Sequence, residues 1–378
     1  MGARRKAVVL SVCAALCAQA CGGGKGDAGG GKLVVVASIF PLYDLCRRVA
    51  GDAAEVKLLL PPGKSEHDFD PTPADVKNVA DAKLAFLVGL EMDEWLVKTV
   101  EASGGGATVV RLGEKVVTRP FYAPLLGTPD DAKHDEFTDT AAPASGAPDS
   151  AKPGSAGPKG APGKTPASGA GASDAPAPGS GAPAASAAAA PAPAGDEHGE
   201  EHEHEHHHGG GPDPHIWMSV VNAIKMVDAM AAAMSTAAPA SKEVFTANAV
   251  KLKDELTKLN DEVKTRTAAF TKKGFVTFHG SFGYFADAYG LDILAVIEPS
   301  PGKEPSAAYL KDVLEFIKGK PIGALYIEPQ LDPKPGEVLA KEAGLPLLTL
   351  DPIGGRPESD SYDKLIRYNL DSLEKSMK

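Results

Sequence analysis

The sequence predicts an α/β protein with two lobes, each a mainly parallel sheet flanked by helices, joined by one long helix. Two observations support this fold class. Short, mainly apolar segments alternate with helical patterns in both halves of the chain, and the first of them, LVVVAS (33–38), is continuously apolar, as in a buried parallel strand. Between the halves, one helical pattern starts at Ser241 and is long enough to reach from one lobe to the other.

The N-terminal lobe is expected over 32–240. Helices are predicted at 40–51, which Gly51 ends, and at 75–82. The expected strands are LVVVAS (33–38), EVKLLL (55–60), LAFLV (84–88) and ATVVRL (107–112). A further helix, rich in Ala and Met, is predicted at 220–237.

The linking helix is expected over 241–273, with Ser241 as its N-cap and Gly274 as its stop. Its apolar positions follow a repeating 4,3 spacing: Phe245, Ala249, Leu252, Leu256, Leu259 and Val263. This seam could form a coiled-coil dimer, but it covers only about three heptads, which favours packing against the chain's own lobes. The C-terminal lobe is expected over 274–378, with strands at 275–278, 291–297, 322–327 and 346–350.

The N-terminal residues 1–20 predict a secretory signal peptide, with a basic start and an apolar run of about 14 residues, too short for a membrane span. Cys21 resembles the lipidated first residue of a bacterial lipoprotein, and 21–31 would then be a flexible tether. Ala18 and Ala20 equally suit ordinary signal peptidase, which would leave a free Cys21. The lipoprotein is favoured. Either interpretation predicts export, to the periplasm or the cell surface.

A low-complexity insert interrupts the first lobe at 128–211. Its Ala, Pro, Gly and Ser composition cannot bury enough apolar surface to offset the entropy of ordering, so it is predicted to be disordered. The tract at 196–208 combines six acidic residues with six histidines: His198, His202, His204, His206, His207 and His208. Such a tract is predicted to collect metal ions weakly, as an auxiliary to a principal site.

Charge and cysteine content narrow the function. The net charge of −11 argues against nucleic acid or an anionic membrane surface as a partner. Two of the four cysteines leave with the signal peptide, and Cys46 stands alone in an apolar helical pattern. Cys46 is therefore expected to be a buried, inert thiol.

Three histidines lie outside the low-complexity part of the chain. His67 is in the loop after the second strand, His215 is in DPHIW (213–217), and His279 directly follows the first strand of the second lobe. Asp351 directly follows the last strand. Parallel sheets bind ligands at the carboxyl ends of their strands. Three imidazoles and one carboxylate in the cleft between the lobes would form a tetrahedral zinc site.

Several motifs together resemble one family, the metal-receptor solute-binding proteins of bacterial ABC importers (ZnuA/TroA-like, cluster A-I). The motifs are SEHDFDPTPADV (65–76), DPHIW (213–217), FHGSFGYFADAYGL (278–291), EPS (304–306) and LDPIG (350–354). The resemblance covers nearly all of 32–378 outside the insert. It implies a monomeric extracytoplasmic receptor, an ABC permease and ATPase as partners, and a rigid linking helix that permits only modest lobe movement.

The resemblance also implies the ligand set His67, His215, His279 and Asp351, with Zn²⁺ as the bound ion. Manganese members carry glutamate at the position of His279, so imidazole there indicates the zinc branch. Ligand softness agrees, because manganese favours oxygen-rich sites. The length and Pro/Ala content of the insert depart from the family.

Glu328 or Asp68 is expected to orient the imidazoles. A manganese or other divalent-metal receptor of the same family is the first alternative, and a surface metal-buffering or adhesin lipoprotein is the second. A zinc hydrolase is less favoured, because it needs an open coordination position and a positioned base. Glu66 is the obvious candidate for that base, but the chain has no HExxH motif. The chain is therefore not expected to be an enzyme, and its membrane contact is expected through the lipid anchor only.

Overall fold

The computed structural model describes residues 32–67, 69–121 and 211–378. The predicted signal peptide, Cys21 with its tether, Asp68, and all but the last residue of the insert, including the 196–208 histidine tract, lie outside the described residues. Within those three ranges, no helix combines the length and the apolar composition needed to cross a membrane.

The first half of the chain forms a four-stranded parallel sheet flanked by helices. Its strands are β1 (Leu33–Ala37), β2 (Ala54–Leu58), β3 (Leu84–Leu87) and β4 (Thr108–Arg111), in the order β2-β1-β3-β4. The accompanying helices are α1 (Phe40–Ala50), α2 (Pro73–Val79) and α3 (Trp95–Ala102). The four strands predicted here are confirmed to within two residues at each end. Helix α1 ends at Ala50 with Gly51 as its C-cap, the predicted stop, and buries Cys46 completely.

The second half repeats this connectivity. Its strands are β5 (Gly274–Thr277), β6 (Asp292–Val296), β7 (Leu325–Ile327) and β8 (Leu347–Thr349), in the order β6-β5-β7-β8. The helices of this half are α6 (Gly283–Tyr289), α7 (Ala307–Ile317), α8 (Lys334–Ala343) and α9 (Tyr362–Met377). Strand β7 begins later than the predicted 322–327. The backbone before it packs against α9, since a Cβ added at Gly323 would lie 1.8 Å from the Ser376 carbonyl oxygen.

Two helices connect the halves, α4 (Val220–Ala237) and the linking helix α5 (Lys242–Ala268). With 27 residues, α5 is about 40 Å long. All six seam residues are buried in the chain's own core, so the coiled-coil alternative is wrong for this seam. Ser241 occupies the N-cap, although its side chain makes no capping hydrogen bond.

Helix α5 ends five residues before the predicted 273. The N–H groups of Thr271 and Lys272 donate to the Met377 carbonyl in α9, at 2.9 and 3.0 Å, so the chain leaves the helix there. The Lys273 ammonium returns to the Thr267 carbonyl at 2.7 Å and caps the last turn.

Hydrogen bonds from one aromatic pair tie the two halves together. Trp217 donates from Nε1 to the Pro352 carbonyl at 2.7 Å, and Tyr362 donates from its hydroxyl to the Trp217 carbonyl at 2.6 Å. The Tyr362 N–H donates to the Asp44 carboxylate of α1 at 2.9 Å. Both aromatic side chains are completely buried, so these bonds fix the DPHIW segment against the second half and join Tyr362 of that half to α1 of the first.

Candidate metal centre

Four side chains that can bind a metal meet at one point: Glu66, His67, His215 and His279. Each offers one ligand atom, and these atoms all lie within 4.8 Å of one another. The Nε2 atoms of His215 and His279 are 3.2 Å apart. Glu66 Oε1 lies 3.7 Å from His67 Nε2 and 3.9 Å from His215 Nε2. The structure therefore brings together the three histidines that the sequence predicted as ligands.

Each histidine is placed by a different part of the fold. His67 lies in the loop that joins β2 to α2, and this loop ends at a capping box between Thr72 and Asp75. His215 directly precedes a 3-10 turn that contains Trp217, and its ring packs on the Trp217 ring with centroids 5.4 Å apart. His279 follows β5 in extended conformation and precedes another 3-10 turn.

Glu328 orients His279. Its Oε2 lies 2.6 Å from His279 Nδ1, and its Oε1 accepts the His279 N–H at 3.3 Å. Because a carboxylate only accepts hydrogen bonds, Nδ1 carries the proton and Nε2 presents its lone pair to the cluster. Burial alone would lower the pKa of His279, but the charge and hydrogen bond of Glu328 outweigh it, so this pKa lies above its usual value.

Asp213 orients the imidazole of His215 in the same way. Its Oδ1 lies 2.8 Å from His215 Nδ1 and also accepts the His215 N–H at 3.0 Å. Both side chains are fully buried. Burial lowers the pKa of His215, and Asp213 opposes this shift without cancelling it. The lowered pKa favours the neutral imidazole, which presents Nε2 to the cluster.

Glu66 is the carboxylate of the cluster. It is 2% exposed, and its Oε1 makes no hydrogen bond to any described residue. Burial, partly opposed by His279, raises the pKa of Glu66 to about 7. A buried carboxylate oxygen without a hydrogen bond is costly. A cation at the centre of the cluster would remove that cost.

Asp351 is not part of this group. Five donors surround its carboxylate: Gln330 Nε2, the N–H groups of Ile353 and Gly354, Arg356 Nε and Ser359 Oγ, at 2.8 to 3.2 Å. These bonds hold the loop that follows β8. Where the sequence placed Asp351 with the histidines, the geometry places Glu66.

Sequence reasoning anticipated Glu328 as an orienting residue, whereas Asp68 lies outside the described residues. It missed Asp213, and it considered Glu66 only as a base for hydrolysis. Both acids lie within two residues of a candidate histidine. That proximity was the available signal for both residues.

Comparison with known proteins identifies the family. The sequence matches the family described as zinc-uptake complex component A, periplasmic (ZnuA), over residues 35–153 and 168–376. The chain belongs to this ZnuA family. It is 27% identical over 378 residues to the high-affinity zinc uptake system protein ZnuA of Bacillus subtilis, covering 98% of this chain and 96% of that protein.

Of two other relatives, one is a longer protein and the other is named for a different metal. The chain is 26% identical over 353 residues to the zinc-binding lipoprotein AdcA of Streptococcus pneumoniae, covering 92% of this chain. It spans only 56% of the length of AdcA. It is 25% identical over 365 residues to the manganese ABC transporter substrate-binding lipoprotein PsaA of Streptococcus mitis, covering 95% of this chain and 94% of that one.

The fold is also shared with a solved structure. A crystal structure of ZnuA superposes with a TM-score of 0.65 at 19% identity, covering 92% of this chain and all of the other. At this identity the likeness concerns the fold alone. It agrees with the two parallel sheets described above.

Proposed function

We propose that this chain is an extracytoplasmic receptor that binds Zn²⁺ and delivers it to an ABC importer. The observation that carries this proposal is the buried cluster of three imidazoles and one carboxylate in a chain of the ZnuA family. The importer's permease and ATPase are the proposed partners.

Glu66, His67, His215 and His279 are the proposed ligands. Three imidazole nitrogens and one carboxylate oxygen satisfy a four-coordinate zinc ion, with metal–ligand distances of about 2.0–2.2 Å. With four protein ligands, no coordination position remains for the water that a hydrolase would activate. The ligand set therefore favours a binding protein over an enzyme.

The nitrogen-rich ligand set also favours zinc over manganese. Manganese prefers carboxylate, carbonyl and water ligands, whereas imidazole suits zinc. His279 contributes a nitrogen, and the carboxylate of Asp351 is occupied by its own hydrogen bonds. Receptor activity toward manganese stays the second candidate, because a relative of similar length is named for that metal.

Two further parts of the proposal concern residues outside the described ranges. Cys21 is the proposed lipidation site, supported by the sequence around it and by relatives named as lipoproteins. The 196–208 tract is the proposed auxiliary metal collector. Mass spectrometry of the mature N-terminus tests the first, since an acylated Cys21 adds a defined mass that ordinary cleavage does not.

A zinc titration of the metal-free full chain against a competing chelator tests the binding function. We expect one tight site, and His279→Ala should abolish it. Deleting 196–208 should leave the tight site within about tenfold of its original affinity. Tight binding that survives His279→Ala but disappears with the tract would contradict the assignment.

Two matched carboxylate variants test the ligand set. Glu66→Gln should weaken zinc binding, because it removes a proposed ligand. Asp351→Asn should change the affinity much less, because this side chain binds its own loop. The opposite result would restore Asp351 as the fourth ligand.

Dependence on the importer distinguishes a receptor from a passive metal buffer. Zinc uptake by cells that carry this chain should be lost when the permease is deleted. Uptake that is unaffected by that deletion would favour the buffering lipoprotein.

A further inference from the structure

Two short segments pair with each other beside the histidine cluster. Residues 119–121 and 211–213 form an antiparallel ribbon, closed by a bridge at its centre. The Asp213 N–H donates to the Arg119 carbonyl at 2.8 Å. Because His215 follows the ribbon by two residues, the position of the ribbon helps to set the position of that imidazole.

The Arg119 side chain makes two ion pairs from this ribbon. Its Nη1 lies 2.9 Å from Asp213 Oδ2, and its Nε lies 2.8 Å from Asp287 Oδ2. Asp213 uses its other oxygen for His215. The Asp213 side chain is fully buried and that of Arg119 is 22% exposed, so solvent screens their attraction only weakly. One carboxylate thus connects the guanidinium to an imidazole of the cluster.

Helix α6 supplies the other side of this contact. It carries Asp287 and follows His279 by way of a 3-10 turn. Tyr284, also on α6, donates from its hydroxyl to the Asp213 carbonyl at 2.8 Å and accepts the Arg119 N–H at 3.2 Å. The ribbon next to one histidine is therefore bound to the helix next to another.

Gly283 leaves room for this contact. A Cβ added there would lie 1.9 Å from Arg119 Nη1 and 2.7 Å from Asp213 Oδ2. The residue has φ −55°, which is ordinary helical backbone, so its conformation does not require glycine. The space required by the ion pair is what excludes a side chain.

We propose that Arg119 is a positioning residue for metal binding, which sets the spacing between His215 and His279 by fixing the ribbon to α6. This inference rests on the proposed zinc-binding function. Two nitrogens bound to one tetrahedral zinc at about 2.0–2.1 Å lie about 3.3–3.4 Å from each other. The two Nε2 atoms are already 3.2 Å apart. Arg119 thus acts through Asp213 on ligands that need little rearrangement.

Zinc affinities of the metal-free full chain and its variants, measured against a chromophoric chelator, test this role. Arg119→Ala should lower the affinity about tenfold or more, in the range that orienting partners of metal ligands provide. Arg119→Lys should recover part of it, because lysine keeps a charge near Asp213 but cannot contact Asp287 at the same time. The control is Arg111→Ala, which removes a half-exposed pair with Glu94 and should leave the affinity unchanged.

A double-mutant cycle separates positioning from general destabilisation. If Arg119 acts through Asp213, then Arg119→Ala should weaken binding little further in an Asp213→Asn background, which keeps all four proposed ligands. Equal losses in both backgrounds would overturn the proposal. Gly283→Ala provides a second variant, since it displaces the guanidinium without removing its charge and should reproduce the loss of Arg119→Ala.

The outcomes for this inference and for the proposed function are distinguishable. Wild-type binding with an unchanged Arg119→Ala variant would refute the positioning role and leave the zinc receptor intact. Absence of a tight site in the wild type would refute the receptor itself.

Discussion

Replacing Glu328 by glutamine should weaken zinc binding by an amount that depends on pH. The Glu328–His279 pair is 2.6 Å long, and both side chains are at most 2% exposed. Glutamine keeps the shape and can still accept a hydrogen bond from Nδ1, but it loses the charge that makes the imidazole more basic. At pH 8 we expect an affinity loss of about 10- to 100-fold, or about 1.4–2.7 kcal/mol.

The pH dependence follows from the sign of the pKa shift. Glu328 keeps the pKa of His279 above its usual value, so in the wild type protons compete with zinc for Nε2 at slightly acidic pH. The Glu328→Gln variant loses the largest of the contributions that raise the pKa of His279, so the imidazole should stay neutral to lower pH. The affinity ratio of wild type to variant should therefore shrink as the pH falls from 8 to 6.

Chelator-competition titrations at several pH values measure this ratio. Asp93→Asn serves as the control, because it alters another buried carboxylate, one that bonds to Ser38 rather than to a histidine. A ratio that stays constant between pH 8 and 6 would refute the argument about charge. An unchanged affinity at pH 8 would also refute the orienting role.

Three more predictions concern protons, fluorescence and stability. Zinc binding at pH 6 should release about one more proton from the wild type than from Glu66→Gln, because the pKa of Glu66 is raised to about 7 in the empty site. Calorimetry in buffers of different ionisation enthalpy measures the number of protons released. Equal release from the two proteins would contradict the raised pKa. Zinc should change the fluorescence of Trp217, whose ring lies 5.4 Å from His215, so Trp217→Phe should abolish the response and Trp95→Phe should keep it. Phe245→Ala should lower the free energy of unfolding by about 3–5 kcal/mol in a denaturant titration, since this fully buried ring anchors α5; a loss below about 1 kcal/mol would count against that packing.

The strands could be predicted from local composition, but the helix boundaries depended on distant contacts. Mainly apolar runs located all eight strands of the described residues, including β2, which carries Glu55 and Lys57. The end of α5 at Ala268 could not be predicted in this way. It is set by the Met377 carbonyl, more than 100 residues further along the chain.

The same holds for the site: residues marked by the local sequence could be predicted, whereas those that depend on distant contacts could not. The three histidines were predictable because they are the three that lie outside the low-complexity part and because each adjoins a strand end or a motif. The position of Glu66 rather than Asp351 beside the histidines was not predictable, because it depends on which carboxylate the surrounding donors already occupy. The contact between Arg119 and Asp213 was not predictable either, since the two residues lie 94 positions apart in the sequence.

The distribution of the four proposed ligands has a consequence for unloading the ion. Glu66 and His67 are adjacent residues on a single irregular connection, whereas His215 and His279 are each locked by a buried acid. If that one connection moved away, Glu66 and His67, which are two of the four proposed ligands, would leave the ion together. An importer would then only need to bind one short segment of the receptor's surface. The zinc ion would keep two protein ligands instead of four and would be released more easily.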